Sequence, residues 1–399
     1  MWISSLIARW RRNHGLAPQK RLSAVLHLER LDDRLLPSFL PPISTPDLGA
    51  VYGVADFNND HIADVVSANS TYTALTLRLG VGDGTFHPPV TLAAPIGNVA
   101  VGDFNNDGNL DLLTFQPNVN VLLGKGDGTF GTPISFKLGR GEAARDVAVG
   151  DFNGDGKLDL AVSGETLRTQ SGPTKKGGLP VSTAQDYVHV FLSQGDGTFA
   201  AGSTTALPPN QLVGQLLLGD FNGDHKLDVI YSYGDGLFTE QLGNGDGTLL
   251  AARSGGTYLG YGVEGITPSP QAAGDFNGDG ITDFVTAAGH LFLGTRDGAI
   301  QAPIDLGVSG GDVVITDVNQ DGKLDLVFIA NVYDADGHLT NQYDINLRPG
   351  NGDGTFRSVP TISLSGFEFG GPFAAGDFNG DGYPDLLVGS ALFFNDKAW

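Results

Sequence analysis

Apolar runs a few residues long, alternating with polar positions, recur along the chain from about residue 50 to the C-terminus, separated by clusters of Asp, Asn and Gly. Around one such cluster, Asp146-Val-Ala-Val-Gly150 comes before and Leu158-Asp-Leu-Ala-Val162 after. Both read as strands, because period-two alternation bounded by turn residues suits a half-buried extended segment. A further apolar stretch, Val188 to Leu192, leads to Gly195-Asp-Gly-Thr-Phe199. Asp-Gly between two β-like runs is a strong hairpin signal. The predicted unit is strand A, Asp-rich loop, strand B, variable connection, strand C, Gly-Asp-Gly turn, strand D.

The unit repeats. The skeleton Asp-x-Asn-x-Asp-(Gly/His)-x-x-Asp begins at Asp56, Asp103, Asp151, Asp220, Asp275, Asp317 and Asp377, at intervals of 47, 48, 69, 55, 42 and 60 residues. These intervals match a four-stranded propeller blade and exceed by far the contiguous nonapeptides of a calcium β-helix. The Gly-Asp-Gly-Thr-Phe phrase recurs around Asp83, Asp127, Asp196, Asp246 and Asp353, with a degenerate copy at Asp297. Its glycines supply turn geometry, and its aromatic is expected to pack between blades. After the seventh Asp-rich loop only strands B (385–388) and C (391–394) remain, which leaves a sheet edge to be covered. Ser38-Phe-Leu-Pro-Pro-Ile43 stands before the first loop as Thr85-Phe-His-Pro-Pro-Val90 stands before the second, so it reads as an orphan strand D. The sequence thus predicts an all-β, seven-bladed propeller over 38–399, with 38–47 closing the last blade.

The Asp-rich loops set hard oxygen donors at positions 1, 3, 5 and 9, with a left-handed turn at position 6. The candidate ligands are Asp56, Asn58, Asp60 and Asp64; Asp103, Asn105, Asp107 and Asp111; Asp151, Asn153, Asp155 and Asp159; Asp220, Asn222, Asp224 and Asp228; Asp275, Asn277, Asp279 and Asp283; Asp317, Asn319, Asp321 and Asp325; and Asp377, Asn379, Asp381 and Asp385. In the third loop the carbonyl of Lys157 is a further expected ligand. Carboxylates about 4 Å apart repel by roughly 4 kcal/mol per pair, before solvent relief, at an effective dielectric near 20. Oxygen-only donors without imidazole or thiolate favour calcium. An EF-hand would need a glutamate at position 12 and flanking helices, whereas that position holds Val162 in the third copy and Phe328 in the sixth. His61 and His225 replace the position-6 glycine, so these two sites are expected to bind calcium more weakly.

Charge narrows the partners. The 399 residues carry 45 acidic and 23 basic side chains, a net charge of −22, which argues against nucleic acid or an anionic membrane surface. Seven divalent ions would bring −22 to −8. There is no cysteine, so neither a disulfide framework nor a thiolate site is available. No run of 18 apolar residues marks a membrane-spanning helix. The eight histidines show no His-Glu-x-x-His spacing, there is no Gly-rich phosphate loop, and Gly307-Val-Ser309-Gly-Gly311 lacks the strand-to-helix context of a nucleophile elbow. No catalytic constellation is visible.

Repeats such as Val149-Gly-Asp-Phe-Asn-Gly-Asp-Gly-Lys-Leu-Asp-Leu-Ala-Val162 resemble the FG-GAP repeats of the integrin α-chain propeller and the related bacterial VCBS-type repeats. The resemblance covers about nine-tenths of the chain. It implies calcium in the loop between strands A and B, and a propeller serving adhesion or ligand recognition, with sugars among the ligands of some relatives. In an antiparallel meander, A–B loops and C–D turns share one rim, so a glycan or surface-protein partner is expected on the opposite rim, in the insertions 163–187, 250–271 and 329–343. Tyr258, Tyr261, Tyr333, Tyr343, Lys175 and Lys176 are the candidate contacts there. Asp334-Ala-Asp336-Gly337 reads as a hairpin turn in preference to an eighth cation site.

Residues 1–37 differ, with seven Lys/Arg against three acids, and are expected to be a basic export or anchor-like segment outside the propeller. Leu28-Glu-Arg-Leu-Asp-Asp-Arg-Leu-Leu-Pro-Ser38 is similar to a segment near the N-terminus of many exported proteins of planctomycete bacteria. The expected protein is a calcium-binding, monomeric, exported or surface-exposed binding module. The alternatives are a structural cell-envelope element and an extracellular polysaccharide-active enzyme.

Overall fold

The computed structural model describes residues 39–45, 48–69, 71–115, 118–139, 141–169, 182–207, 213–233, 237–254, 270–298, 301–308, 311–333, 339–365 and 373–397. Among these there are strands and no helix. The first strand, β1 (Ile43–Ser44), stands apart from the six blades that follow it in sequence. Blade 1 is β2–β5 (Val51–Ala55, Asp64–Ala68, Leu75–Arg78, Val90–Thr91), and blade 2 is β6–β9 (Asn98–Gly102, Asp111–Phe115, Val119–Leu122, Ile134–Phe136). Blade 3 is β10–β13 (Glu142–Gly150, Asp159–Thr169, Ser182–Ser193, Phe199–Ala206), and blade 4 is β14–β17 (Val213–Gly219, Asp228–Tyr233, Leu237–Gln241, Arg253–Ser254). Blade 5 is β18–β21 (Pro270–Gly274, Asp283–Thr286, His290–Phe292, Ile304–Asp305), and blade 6 is β22–β25 (Val313–Thr316, Asp325–Tyr333, Leu339–Arg348, Ile362–Ser365). The chain ends in β26–β28 (Phe373–Gly376, Asp385–Val388, Ala391–Phe393).

Each of the first six blades is a four-stranded antiparallel meander in chain order, and the seventh sheet runs β26-β27-β28-β1. The N-terminal strand therefore supplies the missing strand D. Ile43 pairs with Leu392 and Ser44 with Ala391, and a further bridge joins Phe39 to Asn395. The Thr45 amide and hydroxyl both donate to the Ser390 carbonyl, at 2.8 and 2.9 Å. Closure of this kind pairs the first and last segments of the chain and covers the ladder edge of β28.

Packing follows the same order. Strands β2, β6, β10, β14, β18, β22 and β26 touch in a closed cycle and form the inner ring. Their residues are mostly half-buried, the second strands of the blades are almost wholly buried, and short outer strands such as β5 and β21 are exposed. Among the described residues the core is divided into seven clusters, one at each blade boundary. The cluster between blades 1 and 2, for example, joins Val66, Leu75 and Leu77 to Leu112 and Leu122. A blade is therefore stabilised by its neighbours, and its sheet hydrogen bonds serve mainly to present both faces to them.

The described parts of two of the expected loop insertions are ladder instead. In blade 3, β11 and β12 remain paired from Leu160↔Phe191 out to Thr169↔Ser182. In blade 6, β23 and β24 pair from Leu326↔Arg348 out to Tyr333↔Leu339. The β-rich composition of these segments continues the hairpin beyond the blade body.

Candidate functional site

Each Asp-rich loop starts where the first strand of a blade ends, and its last aspartate opens the second strand, so the ladder fixes both ends of a nine-residue loop. Within it the same bonds recur seven times. The position-1 carboxylate accepts the position-5 amide through Oδ1 (3.0–3.2 Å) and the position-6 amide through Oδ2 (2.7–2.9 Å). The position-3 asparagine oxygen accepts the position-5 amide at 2.8–3.1 Å. The position-5 carboxylate accepts the position-7 amide at 2.8–3.0 Å. Such side-chain acceptors replace the backbone partners that a tight loop lacks.

The winding needs positive φ twice. At position 6, His61 (67°) and His225 (63°) adopt the left-handed conformation that the other five loops give to glycine, as expected. Position 4 is left-handed as well, with Asn59, Asn106 and Gln320 in the loops that lack glycine there. These three side chains clasp the next loop round the ring: Asn59 donates to Asn109 Oδ1 (3.1 Å), Asn106 to the Gly156 carbonyl (3.2 Å), and Gln320 to the Gly382 carbonyl.

The position-9 aspartate has a role beyond the expected ligand set. In all seven loops it is fully buried. Its Oδ2 accepts the position-2 amide of its own loop (2.8–3.1 Å). Its Oδ1 accepts an amide at or just past the end of the blade's third strand, from Gly80, Gly124, Ser193, Gly243, Gly294, Gly350 or Asn395, at 2.7–2.9 Å. One carboxylate thus staples the A–B loop to the C–D turn. At Gly124 the approach is so close that a Cβ would lie 2.1 Å from the Leu110 carbonyl oxygen. The glycine two residues before four of the five Gly-Asp-Gly turns, replaced by Ser193 in blade 3, is the sequence signal for this contact.

Electrostatically the staple is under stress. Burial, with the loop's two other aspartates adding, pushes Asp64, Asp111, Asp228, Asp283 and Asp325 up to about 6 and Asp385 to about 7. Asp159 shifts the same way for the same reasons. The outer aspartates have basic neighbours in some loops: Lys157 with Asp155 (3.2 Å), Lys226 with Asp224 (3.6 Å), Lys323 with Asp321 (4.0 Å) and Lys397 with Asp381 (3.2 Å). Among the described residues, no three His, Asp or Glu groups are gathered closely enough to hold a metal ion. The donor set still suits a hard divalent cation. Every donor is oxygen, a carboxylate that accepts one amide per oxygen keeps further lone pairs, and ammonium groups already stand beside the outer carboxylate in four loops.

The two recurrent phrases meet across blade boundaries. Gly84, Gly128, Gly247 and Gly354, in the C–D turns, donate to the carbonyls of Phe378, Phe57, Phe152 and Phe276, at position 2 of the preceding blade's loop. The aromatic rings follow: Phe130 lies 5.7 Å from Phe57, Phe86 6.0 Å from Phe378, Phe199 6.0 Å from Phe104 and Phe356 5.8 Å from Phe276. A–B loops and C–D turns therefore share one rim, as the meander requires. In the turns themselves, Asp83, Asp127, Asp196, Asp246 and Asp353 are held below the usual carboxylate range by the hydroxyl and amide of the threonine two residues on.

This arrangement coincides with a known repeat. The family model described as an FG-GAP-like repeat matches residues 56–114, 115–162, 181–231 and 317–388, more than half of the chain. The chain belongs to the FG-GAP-like repeat family. Integrin alpha pat-2 of Caenorhabditis elegans is 32% identical over 156 residues, a match covering 32% of this chain and 13% of that protein's length. The structure of BBS1N in complex with ARL6DN, soaked with lead, aligns over 88% of this chain and 91% of its own, with a TM-score of 0.50 and 11% identity. Saccharomyces cerevisiae Sqt1 aligns over 90% and 99%, with a TM-score of 0.50 and 11% identity. At that identity the two structures speak for the propeller fold alone. FG-GAP propellers related to integrin α chains are binding modules, and this FG-GAP chain is read as non-enzymatic on that ground.

On the opposite rim the candidates fare unequally. Tyr343 lies within β24, opposite Asn331 and Leu364, and packs on the core between blades 6 and 7, so it is a strand residue and not a loop contact. Tyr333 ends β23. Tyr258, Tyr261, Lys175, Lys176, Asp334, Asp336 and the segment 1–37 lie outside the described residues. Topology assembles a group that spacing did not reveal: His189 Nε2 lies 3.1 Å from Glu142 Oε2, and its Nδ1 2.6 Å from Thr204 Oγ1. Among the described residues no helix is long and apolar enough to cross a membrane.

Proposed function

We propose that this FG-GAP propeller is a calcium-braced binding module, exported or surface-exposed, that presents the rim opposite the Asp-rich loops to a glycan or a surface protein. The observation that carries the calcium reading is the buried position-9 aspartate, repeated in seven loops beside two further carboxylates. A bound cation held by positions 1, 3, 5 and 9 would neutralise that charge and brace loop against turn. Calcium that binds the folded chain selectively stabilises it. The likeness to integrin alpha pat-2 supports an extracellular or cell-surface setting, with residues 1–37 as the export or anchor-like segment and the propeller acting as a monomer.

The test is binding of the purified chain to a broad glycan array in millimolar calcium, beside a chelated sample, with a melting curve for each. Calcium-dependent binding to one sugar class supports the glycan reading. Stabilisation by calcium without sugar binding redirects the search to a protein partner or an envelope scaffold. Melting that ignores calcium sinks the seven-site reading.

A further inference from the structure

On the outer flank between blades 5 and 6 lies a cleft of about 410 Å³ bounded by Ile304, Leu306, Gly307, Arg348, Phe356 and neighbouring residues. Arg348 is 9% exposed, at the end of β24. Its guanidinium donates to three carbonyls: Nε to Leu306 (3.2 Å), Nη1 to Leu347 (3.0 Å) and Nη2 to Gly307 (3.4 Å). A guanidinium carries five N–H donors and never loses its charge in proteins. Two donors are thus left over, and among the described residues no carboxylate forms an ion pair with the cation. Asp305 also lines the cleft, but it spends Oδ1 on the Gly307 amide at 2.8 Å and makes no ion pair with Arg348. Burial works against the cation, holding Arg348 below the usual guanidinium range.

A buried charge without a counter-ion is costly, and a ligand that supplied one would offset that cost. We infer that this cleft is a binding site for a singly charged, carboxylate-bearing ligand whose apolar part lies against Ile304, Leu306 and Phe356, as the C-terminal residue of a peptide would. The fork geometry of Arg348 matches a carboxylate. The Asp305 charge at the same cleft, on a chain of net charge −22, disfavours polyanions such as polyuronates. The exposed Ile304 extends the apolar wall to solvent. This site is separate from the opposite rim, so it does not depend on the ligand proposed there.

The experiment titrates the full chain, in calcium, with N-acetyl-leucine, its neutral amide and digalacturonate, read by calorimetry or ligand-observed NMR. The acid is expected to bind at least about tenfold more tightly than the amide. Ile304→Glu, which adds a repelling charge at an exposed position, should weaken the acid by about tenfold or more while leaving the melting temperature unchanged. Arg348→Gln should abolish the preference for acid over amide, and Arg348→Lys should retain part of it. Equal binding of acid and amide, no binding of either, or acid binding indifferent to Ile304→Glu overturns the site. Preference for digalacturonate overturns the apolar-acid assignment in favour of an acidic sugar.

Discussion

The boundary between blades 1 and 2 and the boundary between blades 4 and 5 do the same job by different means. At the first, Phe57 stacks edge-on against Phe130, Gly128 donates to the Phe57 carbonyl at 3.1 Å, and Asn59 reaches Asn109. At the second, the C–D turn of blade 5 is degenerate and brings neither a phenylalanine nor a Gly-Asp-Gly amide. Phe221 packs instead on Phe284, which stacks at 4.8 Å on Phe292, with Phe238 closing the group. Thr282 adds a contact of its own there: its amide donates to the Asp220 carbonyl at 2.7 Å, as the Ala63 amide does to Asp377 between blades 7 and 1, and its hydroxyl also accepts the Asp220 amide at 3.0 Å. The family match also omits residues 232–316, which carry Phe238, Thr282, Phe284 and Phe292 of this replacement. The comparison teaches that the position-9 staple inside each blade is invariant, while the latch between blades is interchangeable.

The largest test of that division is blade 7, where the N-terminal strand is the whole of strand D. Deletion through Thr45 exposes the ladder of β28 and is expected to abolish a single cooperative melting transition. Next come the staples. Asp111→Ala and Asp283→Ala each strand two buried amides, and each should cost about 3 kcal/mol in chemical denaturation. Equal costs at a latched and an unlatched blade support the division, and tolerance at either refutes it.

Calcium and pH act on the same seven carboxylates. Six of them have folded-state values of about 6 to 7, above the unfolded value of about 4, and Asp159 is raised in the same direction. The folded chain therefore holds these protons more tightly. Its stability is fully present below about pH 4 as far as these groups are concerned, and is lost as pH rises through 6 to 7. Chelated protein should melt about 5 °C or more higher at pH 5 than at pH 7.5, and saturating calcium should remove or reverse the difference. Identical pH profiles with and without calcium would separate the staples from any cation.

Smaller effects distinguish the latches. Thr282→Val should cost about 1 to 2 kcal/mol, by orphaning the Asp220 amide, and Phe130→Leu about 1 kcal/mol. Each should be felt at its own boundary only, as amide exchange in the adjoining loops would report.

Most of this architecture was legible, because seven repeats expose which positions a blade must keep. The Asp-x-Asn-x-Asp skeleton, the Gly-Asp-Gly turn and the orphan Phe39 segment all reflect local backbone demands, and local demands leave a residue pattern. The staple was not separable from a ligand role, since a carboxylate that caps amides and one that binds calcium are the same letter at the same position. Its partner in the third strand is contributed 10 to 34 residues later. Nor could spacing show that residues 163–169 and 329–333 continue the ladder, because extended polar segments read alike as strand or loop. Arg348 was invisible for a different reason: its lack of a carboxylate is a property of blade 5, not of its own neighbours in sequence.

The smallest prediction returns to the two boundaries compared. His61 and His225 sit at position 6 of loops 1 and 4, one at each boundary, with side chains 98% and 91% exposed. Their backbone amides bind Asp56 and Asp220 whatever the side chain. The rings lie 3.8 and 3.6 Å from those same carboxylates, exposed contacts of small worth, while each Cβ burdens a left-handed backbone by about 1 kcal/mol. Glycine removes that strain but enlarges the freedom of the unfolded chain, so His61→Gly and His225→Gly should each gain about 0.5 kcal/mol and tighten calcium at that loop alone. Asn59→Gly, two residues away in loop 1, relieves the same kind of strain but surrenders the bond to Asn109, and its net effect should be near zero. A gain from Asn59→Gly equal to that from His61→Gly would mean that the clasp between loops 1 and 2 contributes nothing, leaving the aromatic latch to hold that boundary.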